Sequence, residues 1–528
     1  MSLSSEQEPR RPDDSGSSPV ARPYTGDEYL ESLRDGREVW IYGERVDDVT
    51  AHPAFRNGAR SVARLYDALH DESRRAVLTG PTDTGNGGFT HPFFRTPRSK
   101  DDLRASRAAI RAWQQMGYGF MGRTPDYKAS FLGTLGANSA FYEDYEANAE
   151  RWYRMAQERV MYLDHAIVHP PVDRHLSPDE VPDVYMHVDE ETDAGLIVSG
   201  AKMVATNAAL TQANFVAHYG APVRKDAFGL VFAVGMDTPG VKLVARQSYE
   251  FQAATVGSPF DYPLSSRLDE NDSVLILERA LVPWEDVFCY GAEVANAWMQ
   301  GSGFVERLAF QAVVRFTVKL EFLAGLFARA QAVNGTETTA AGQEALGELL
   351  MWRNLFAGLT DGMIENAHPW AGDAVQPDGS YGVVYLHMAS QAYVRIRQLI
   401  EETVGSNLIY LNSNAADFHN EQLRPVLDRF YRGSHGMAAP DRVKTMKLLW
   451  DAIGSEFGSR HELYELNYGA PRRTNRMRSL WGAQASGLLE HCQEMVEGCM
   501  TEYDLDGWTA GDLVDPGDVS VVRRRVTG

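Results

Sequence analysis

Few residue groups in this chain have types and spacings suited to chemistry, and the absences already exclude several reaction classes. His165 and His169, in His165-Ala-Ile-Val-His169, have the i, i+4 spacing that sets two imidazoles on one helix face, as metal sites do. Pro170 disfavours helical geometry at His169, and no neighbouring carboxylate completes a ligand set. No GxGxxG follows a strand pattern, and GxxxxGKS/T, GxSxG and HExxH do not occur. The glycine cluster Thr84-Gly85-Asn86-Gly87-Gly88 has the wrong spacing for a phosphate loop and reads as a plain loop. Three cysteines (Cys289, Cys492, Cys499) are too few for a disulfide scaffold and form no CxxC pair. Three groups remain. Arg123 follows a glycine in Gly122-Arg-Thr-Pro125-Asp-Tyr127, where Pro125 marks a turn. His165 stands beside an apolar run and titrates near neutrality, which suits a general base or a hydrogen-bond partner. The Gly/Ser-rich stretch Gly454-Ser-Glu-Phe-Gly-Ser-Arg460 offers backbone N–H groups followed by an arginine, a plausible pyrophosphate seat.

The elements that must hold these groups follow from composition and period. The chain has 528 residues, 44% hydrophobic and 10% aromatic, enough for two or three domains with a large core. With 51 basic and 72 acidic side chains the net charge is −21, which argues against nucleic-acid and anionic-membrane binding. Residues 1–22 are polar and Pro/Ser-rich and read as a disordered tail without a signal peptide. No 18-residue apolar run occurs, so a cytoplasmic protein is expected. From Tyr24 to about Tyr162 the period is helical; one helix opens at Ser99 with Asp102 in capping spacing and ends at Gly117 and Gly119. A second run places Phe141, Tyr145, Ala149, Trp152 and Met155 on one stripe. From Asp183 to about Phe288 short strands alternate with turns, as in an antiparallel barrel or sandwich. From Gly303 onward long apolar helices return and form a bundle. The expected domains are 23–160 (helical), 161–300 (β) and 301–528 (bundle, with an oligomer interface), an α+β order that resembles the acyl-CoA dehydrogenase architecture.

Seven segments, in chain order, carry a family resemblance. They include GERVDDVTAHPAFRNGARSVARLYD (Gly43 to Asp67), MGRTPDY (Met121 to Tyr127), DHAIVHPP (Asp164 to Pro171), GAKMVATNA (Gly200 to Ala208) and ERALVPWEDVF (Glu278 to Phe288). LRPVLDRFYRG (Leu423 to Gly433) and GSEFGSRHELYELNYGAP (Gly454 to Pro471) complete the set. From about residue 24 to 480 the chain resembles the two-component, FAD-dependent phenol hydroxylases of the 4-hydroxyphenylacetate 3-monooxygenase type. Within that family it looks closest to hydroxylases of a carrier-bound chloro-β-tyrosyl unit in enediyne antibiotic biosynthesis. Two positions depart from the family pattern: His169-Pro170-Pro171 replaces Asn-Pro-Gln, and Asn412 stands where Pro is common.

The resemblance implies a reaction and its residues. A separate NAD(P)H:flavin reductase supplies FADH2, O2 is co-substrate, and a flavin C4a-hydroperoxide hydroxylates a phenol ortho to its hydroxyl to give a catechol. Arg123, Tyr127 and His165 line the phenol pocket as catalytic and substrate-binding residues, and His218 and Tyr219 add substrate contacts. FAD contacts fall on His165, Ala166, Ile167, Pro171, Val172, Asp173, Arg174, Thr206, Gly454, Ser455, Glu456, Phe457, Gly458 and Arg460. The implied partners are the reductase, an acidic peptidyl carrier protein bearing the substrate, and further copies of the chain in a homotetramer. Four arginines in eight residues, Arg472, Arg473, Arg476 and Arg478, suit docking of an acidic carrier. The alternatives are a hydroxylase of a free phenol such as 4-hydroxyphenylacetate and an acyl-CoA dehydrogenase-type flavin oxidase. An iron–sulfur dehydratase on the same fold lacks the required cysteines, and a non-catalytic docking protein does not account for Arg123, Tyr127 and His165.

Overall fold

The computed structural model describes residues 22–505 and 507–512. The tail expected over 1–22 lies outside the described residues except for Arg22, which pairs with Glu28 at 2.6 Å. The chain up to Tyr468 forms one compact unit, and the residues from Gly469 form a second.

A ten-stranded sheet is the centre of the first unit. Its strands are β1 (Glu38–Ile41), β2 (Glu44–Val46), β3 (Leu163–Val168), β4 (His187–Thr192), β5 (Gly195–Thr206), β6 (Ala213–Tyr219), β7 (Leu230–Gly235), β8 (Val241–Ala245), β9 (Asp272–Pro283) and β10 (Val287–Tyr290). Their order is β10-β7-β6-β3-β5-β9-β8-β1-β2, with β4 paired on β5. Most pairs are antiparallel, as the short alternating runs lead one to expect. Two are parallel: β3 with β6, which sets His165 opposite Phe215, and β1 with β8. Strands β1 to β3 come from sequence outside the stretch that reads as strands. β3 shows no alternation because Leu163 to Ala166 are all buried.

The helices that shape the site are α1 (Lys100–Met116), α2 (Pro125–Ala137), α3 (Glu146–Arg159), α4 (Phe304–Asn334), α5 (Ala340–Glu365), α6 (Gly379–Val404), α7 (Ala439–Ile453) and α8 (Glu456–Asn467). Ser99 caps α1 by accepting from the Asp102 N–H, and Gly117 ends it. Gly119, at φ +73, lets the next turn approach α4 closely: a Cβ there would sit 2.5 Å from the Lys319 backbone nitrogen. The expected aromatic stripe is broken, because Ser139–Tyr145 is a 3-10 turn kinked at Glu143 (φ 48) ahead of α3. α2 gives no amphipathic period, since Pro125 to Leu135 are buried on every side. Pro125 therefore opens a helix at its first position, where its missing N–H costs nothing, rather than marking a turn.

α4 spans 31 residues and packs with α5 and α6 as the expected bundle. It also buries charge. Arg315 donates to Glu465 of α8 at 2.5 and 2.8 Å, and Lys319 donates to the same carboxylate at 3.0 Å. The order helical segment, sheet, helical bundle is the one expected from the sequence. In the second unit, α9 (Arg472–Ala485) is followed by α10 (Leu488–Thr501).

Candidate active site

The site is built where the loop before α2, the end of β3, and α8 meet. Glu270, just ahead of β9, fixes the loop by accepting the backbone N–H groups of Gly122 (2.8 Å) and Arg123 (2.5 Å). The Arg123 carbonyl accepts from the Tyr162 hydroxyl. The guanidinium then lies among three aromatic faces, 4.2 Å from the Tyr127 ring centroid and 4.8 Å from those of Tyr464 and Tyr468. One guanidinium nitrogen donates to the Tyr464 hydroxyl, while Nε is buried without a partner. Burial opposes the charge of Arg123, but Tyr127, Tyr464, Tyr468 and Glu270 hold its pKa above the ordinary value. It is a permanent, desolvated cation. The spacing of Arg460, Tyr464 and Tyr468 (i, i+4, i+8) carries all three along one face of α8 and its cap.

His165 shares the Tyr127 ring with Arg123, its centroid 5.3 Å away, and lies 5.1 Å from Phe131. Its partner is Lys128, on the first turn of α2. Lys128 Nζ donates to His165 Nδ1 at 2.8 Å and to Asp164 at 3.2 Å. Burial pushes Lys128 down to about 8 against the pull of Asp164, and pushes Asp164 up to about 6 against the pull of Lys128. Between those values the two form a buried ion pair. Burial first, then the Lys128 and Arg123 cations, hold His165 well below its ordinary pKa. This corrects the expectation of a histidine titrating near neutrality. His165 is neutral, and because an ammonium can only donate, Nδ1 is the acceptor and the ring proton sits on Nε2. In this state Nε2–H of His165 is a donor and Nδ1 is taken up by Lys128.

On the other side of β5, Thr206 ends the strand as expected and is buried, donating to Asp272 at 2.7 Å. Asp272 also accepts from Arg246 at 2.9 Å and from Arg460 at 2.7 and 3.0 Å. Thr206 and Arg460, far apart in sequence, thus meet on one carboxylate, and Glu270 lies 3.8 Å from Arg460 on the side of Arg123. A cavity of about 530 Å³ opens beside them, lined by Arg246, Tyr249, Asp272, Gly454, Ser459 and Arg460. A neighbouring cavity of about 270 Å³ shares Tyr249, Gly454 and Glu456 and adds Ser455 and Phe457. Arg460 Nη1 is buried there without a hydrogen bond. The stretch expected as an inter-helix loop is mostly helical. Ser455 caps α8 by accepting from the Gly458 N–H, so only Gly454 and Ser455 lie outside the helix.

The remaining expected residues are spread more widely. Ala166 and Ile167 are in β3, whereas Pro171, Val172, Asp173 and Arg174 form an exposed loop beyond it. His218 and Tyr219 end β6, and among the described residues His218 contacts His169 rather than Arg123, Tyr127 or His165. Sequence reasoning missed Lys128, Asp164, Glu270, Asp272, Tyr464 and Tyr468. The i+4 series on α8 is the one signal that would have found the two tyrosines. Lys128 and Asp164 are single charges beside apolar runs, and Glu270 and Asp272 lie in the acidic stretch Asp269-Glu270-Asn271-Asp272; only the fold supplies their partners. Arg472, Arg473 and Arg476 are exposed on α9, in the second unit.

Comparison with known proteins identifies the family of the chain. The 4-hydroxyphenylacetate 3-hydroxylase N-terminal family model matches residues 25–289, and the C-terminal model matches 295–497. The oxygenase component of a Rhodococcus 4-nitrophenol 2-monooxygenase is 56% identical, covering 95% of this chain and 96% of its own. A Streptomyces globisporus monooxygenase named for a (3S)-3-amino-3-(3-chloro-4-hydroxyphenyl)propanoyl group on a peptidyl-carrier protein is 54% identical, covering 93% of each chain. Among solved structures, the oxygenase component of a 4-hydroxyphenylacetate 3-monooxygenase complexed with FAD superposes with a TM-score of 0.84 at 31% identity, covering 90% of this chain and 99% of its own. These matches run nearly end to end, and the chain belongs to the 4-hydroxyphenylacetate 3-hydroxylase family of monooxygenase oxygenase components.

Proposed function

We propose that the chain hydroxylates a phenol ortho to its hydroxyl, using O2 and FADH2 delivered by a separate NAD(P)H:flavin reductase. The balance is phenol plus O2 plus FADH2 giving catechol, FAD and water. The observation that carries this reading is the pairing, around one tyrosine ring, of a desolvated cation with a histidine locked as a donor. A phenol oxygen placed between Arg123 and His165 Nε2–H meets two donors that favour its anionic form. The phenolate is the electron-rich form that attacks an electrophilic oxygen. Tyr127 and Phe131 pack the ring, and the burial of the whole group excludes water from it.

The residues present fit FAD. Arg460 lines a cavity, its Nη1 buried without a hydrogen bond and 3.8 Å from Glu270, and the α8 N-terminus opens on the same space. Gly454 to Gly458 and Arg460 would hold the pyrophosphate, and Thr206 the ring, with Ala166, Ile167 and Pro171 to Arg174 as further contacts. When bound and reduced, FAD supplies with O2 the electrophilic oxygen.

For the substrate, the name of the Streptomyces relative and the exposed arginines of α9 favour a chloro-β-tyrosyl unit tethered to an acidic peptidyl carrier protein. A free phenol such as 4-hydroxyphenylacetate is the second reading, favoured by the Rhodococcus relative, which is named for a free phenol. Exposed Leu488, Met495, Val496 and Met500 on α10 support assembly with further copies of the chain as a homotetramer. Among the described residues no helix is long and apolar enough to cross a membrane, and a cytoplasmic setting is part of this reading. The test supplies FADH2 from an unrelated reductase and compares catechol formation from free and carrier-tethered phenols. The reading expects catechol from at least one of them.

A further inference from the structure

Arg123 and Arg460, the cations of the phenol pocket and the flavin cavity, meet on one buried carboxylate. Glu270 stands two residues ahead of Asp272, which opens β9 and pairs with Thr206, the last residue of β5. It is 2% exposed. Its two oxygens serve the loop that carries Arg123: Oε1 accepts the Arg123 N–H at 2.5 Å and Oε2 the Gly122 N–H at 2.8 Å. On its other side stand two arginines of the flavin cavity. Arg246 Nη2 donates to the Glu270 carbonyl at 3.0 Å, and Arg460 Nη1 lies 3.8 Å from Oε2. The Arg123 carbonyl is tied to the same strand end. It accepts from the Tyr162 hydroxyl, which accepts in turn from Asn207, the residue after Thr206, at 2.7 Å. Both backbone polar groups of Arg123 are thus held from the end of the β5–β9 ladder.

The gap between Arg460 and Glu270 makes this contact adjustable. Arg460 gives Nε and Nη2 to Asp272 at 3.0 and 2.7 Å, while Nη1 is buried without a hydrogen bond. A closure of about 1 Å would turn the 3.8 Å contact into a charge-assisted hydrogen bond, on the oxygen that holds Gly122. Whatever fixes Arg460 from the cavity therefore bears on the Arg123 loop through Oε2. The electrostatics run the same way. Burial pushes Glu270 up, and the largest pull against it is Arg460, ahead of the Arg123 and Gly122 N–H groups and the Arg123 charge. The carboxylate that places Arg123 keeps its charge chiefly through the cavity arginine.

We infer that Glu270 is a positioning residue that couples the two sites: it sets the Arg123 loop according to how Arg460 is held, so a phenol binds more tightly when reduced flavin is present. The inference rests on the proposed function and deepens it. By linkage, flavin gains the same factor from the phenol. Lys128 Nζ, 3.5 Å from the Thr206 carbonyl, offers a parallel route between the sites.

The test uses the full chain without oxygen. Dissociation constants of 4-hydroxyphenylacetate and 4-ethylphenol are measured by calorimetry with and without saturating FADH2, in the wild type and in Glu270→Gln. Glutamine keeps the size and one acceptor and removes the charge. In the wild type FADH2 should tighten the phenol by about fivefold or more. In Glu270→Gln the two constants should agree within about twofold. A merely structural glutamate would weaken the phenol alike with and without flavin and leave the wild-type ratio; that result assigns the coupling to Lys128 or elsewhere and overturns the inference. So does a wild-type ratio near one. Amide hydrogen exchange needs no variant: FADH2 should slow exchange in the wild-type peptide that holds Gly122 and Arg123. It decides the matter where the variant does not fold or neither phenol binds, and exchange unchanged by FADH2 overturns the inference. Wild type that binds no FADH2 overturns it together with the functional reading. Coupling present but no catechol once oxygen is admitted sinks the functional reading alone.

Discussion

Replacing Lys128 by Met and Asp164 by Asn together tests whether His165 works as a fixed donor. The pair is buried, with Lys128 Nζ 2.8 Å from His165 Nδ1 and 3.2 Å from Asp164. Removing both partners leaves no lone buried charge, and such neutral replacements are commonly tolerated, so the variant should fold. His165 then loses the ammonium that forces its proton onto Nε2, and the two tautomers compete. A hydrogen bond to a charged phenol oxygen is worth about 1.5–3 kcal/mol. Complete loss of the bond would lower kcat/KM roughly 10- to 150-fold at 1.36 kcal/mol per tenfold, and a tautomer mixture, which keeps part of it, should lower kcat/KM about 2- to 10-fold. The pH profile gives a second readout. In the wild type the ion pair exists between about 6, where Asp164 takes a proton, and about 8, where Lys128 loses one. kcat/KM should drop above about 8, where Lys128 loses the charge that fixes the His165 proton, and that limb should vanish in the double variant. Nitrogen-15 NMR of the His165 ring should show mainly the Nε2–H form in the wild type and a mixture in the variant. A folded double variant with wild-type kcat/KM and an unchanged pH profile would refute the reasoning.

Three further outcomes are expected. Tyr464→Phe removes the hydroxyl that accepts from Arg123 and should lower kcat/KM about 5- to 10-fold with little change in Tm, in line with a hydrogen bond worth about 1 kcal/mol; an unchanged value would show that Arg123 needs no such support. Gly119→Ala puts a side chain at φ +73, 2.5 Å from the Lys319 backbone, and should cost about 2–4 kcal/mol in urea unfolding; a cost below 0.5 kcal/mol (about the scatter of surface changes) would contradict the close approach. Glu465 is held down to about 2: burial pushes it up, and Arg315 and Lys319 outweigh that. Its folded value lies below the ordinary 4.5, so its contribution is full above 4.5 and is lost as pH falls through about 2. Glu465→Gln should cost about 3–5 kcal/mol at neutral pH, with the gap to wild type closing across that acid window; a gap independent of pH would contradict the ion network.

Much of the architecture was legible because it rests on period and caps. Ser99 with Asp102 announces α1, and the long apolar run after Gly303 announces α4. α2 and β3 were not legible, for one reason: Pro125 to Leu135 and Leu163 to Ala166 are buried on all sides and carry no inside–outside rhythm. The same burial hid the chemistry. Arg123, Tyr127 and His165 were named through family resemblance, but Lys128 and Asp164, which set the protonation of His165, sit beside them in sequence with no spacing that would mark them as a pair. The expectation that His165 titrates near neutrality failed for that reason, since an unperturbed pKa is a poor guide beside two buried cations. Thr206 and Arg460 were expected separately, and only the fold shows that Asp272 joins them.

The central claim is tested most directly by oxygen-dependent turnover with FADH2 from an unrelated reductase, scoring catechol against hydrogen peroxide in the wild type, Arg123→Ala and His165→Ala. The account predicts catechol carrying one oxygen atom from labelled O2 in the wild type. It predicts a loss of about 10²–10⁴-fold in each folded variant, with reducing equivalents diverted to peroxide. Wild-type coupling of FADH2 to catechol in either variant, or peroxide alone from the wild type with every phenol offered, would contradict it.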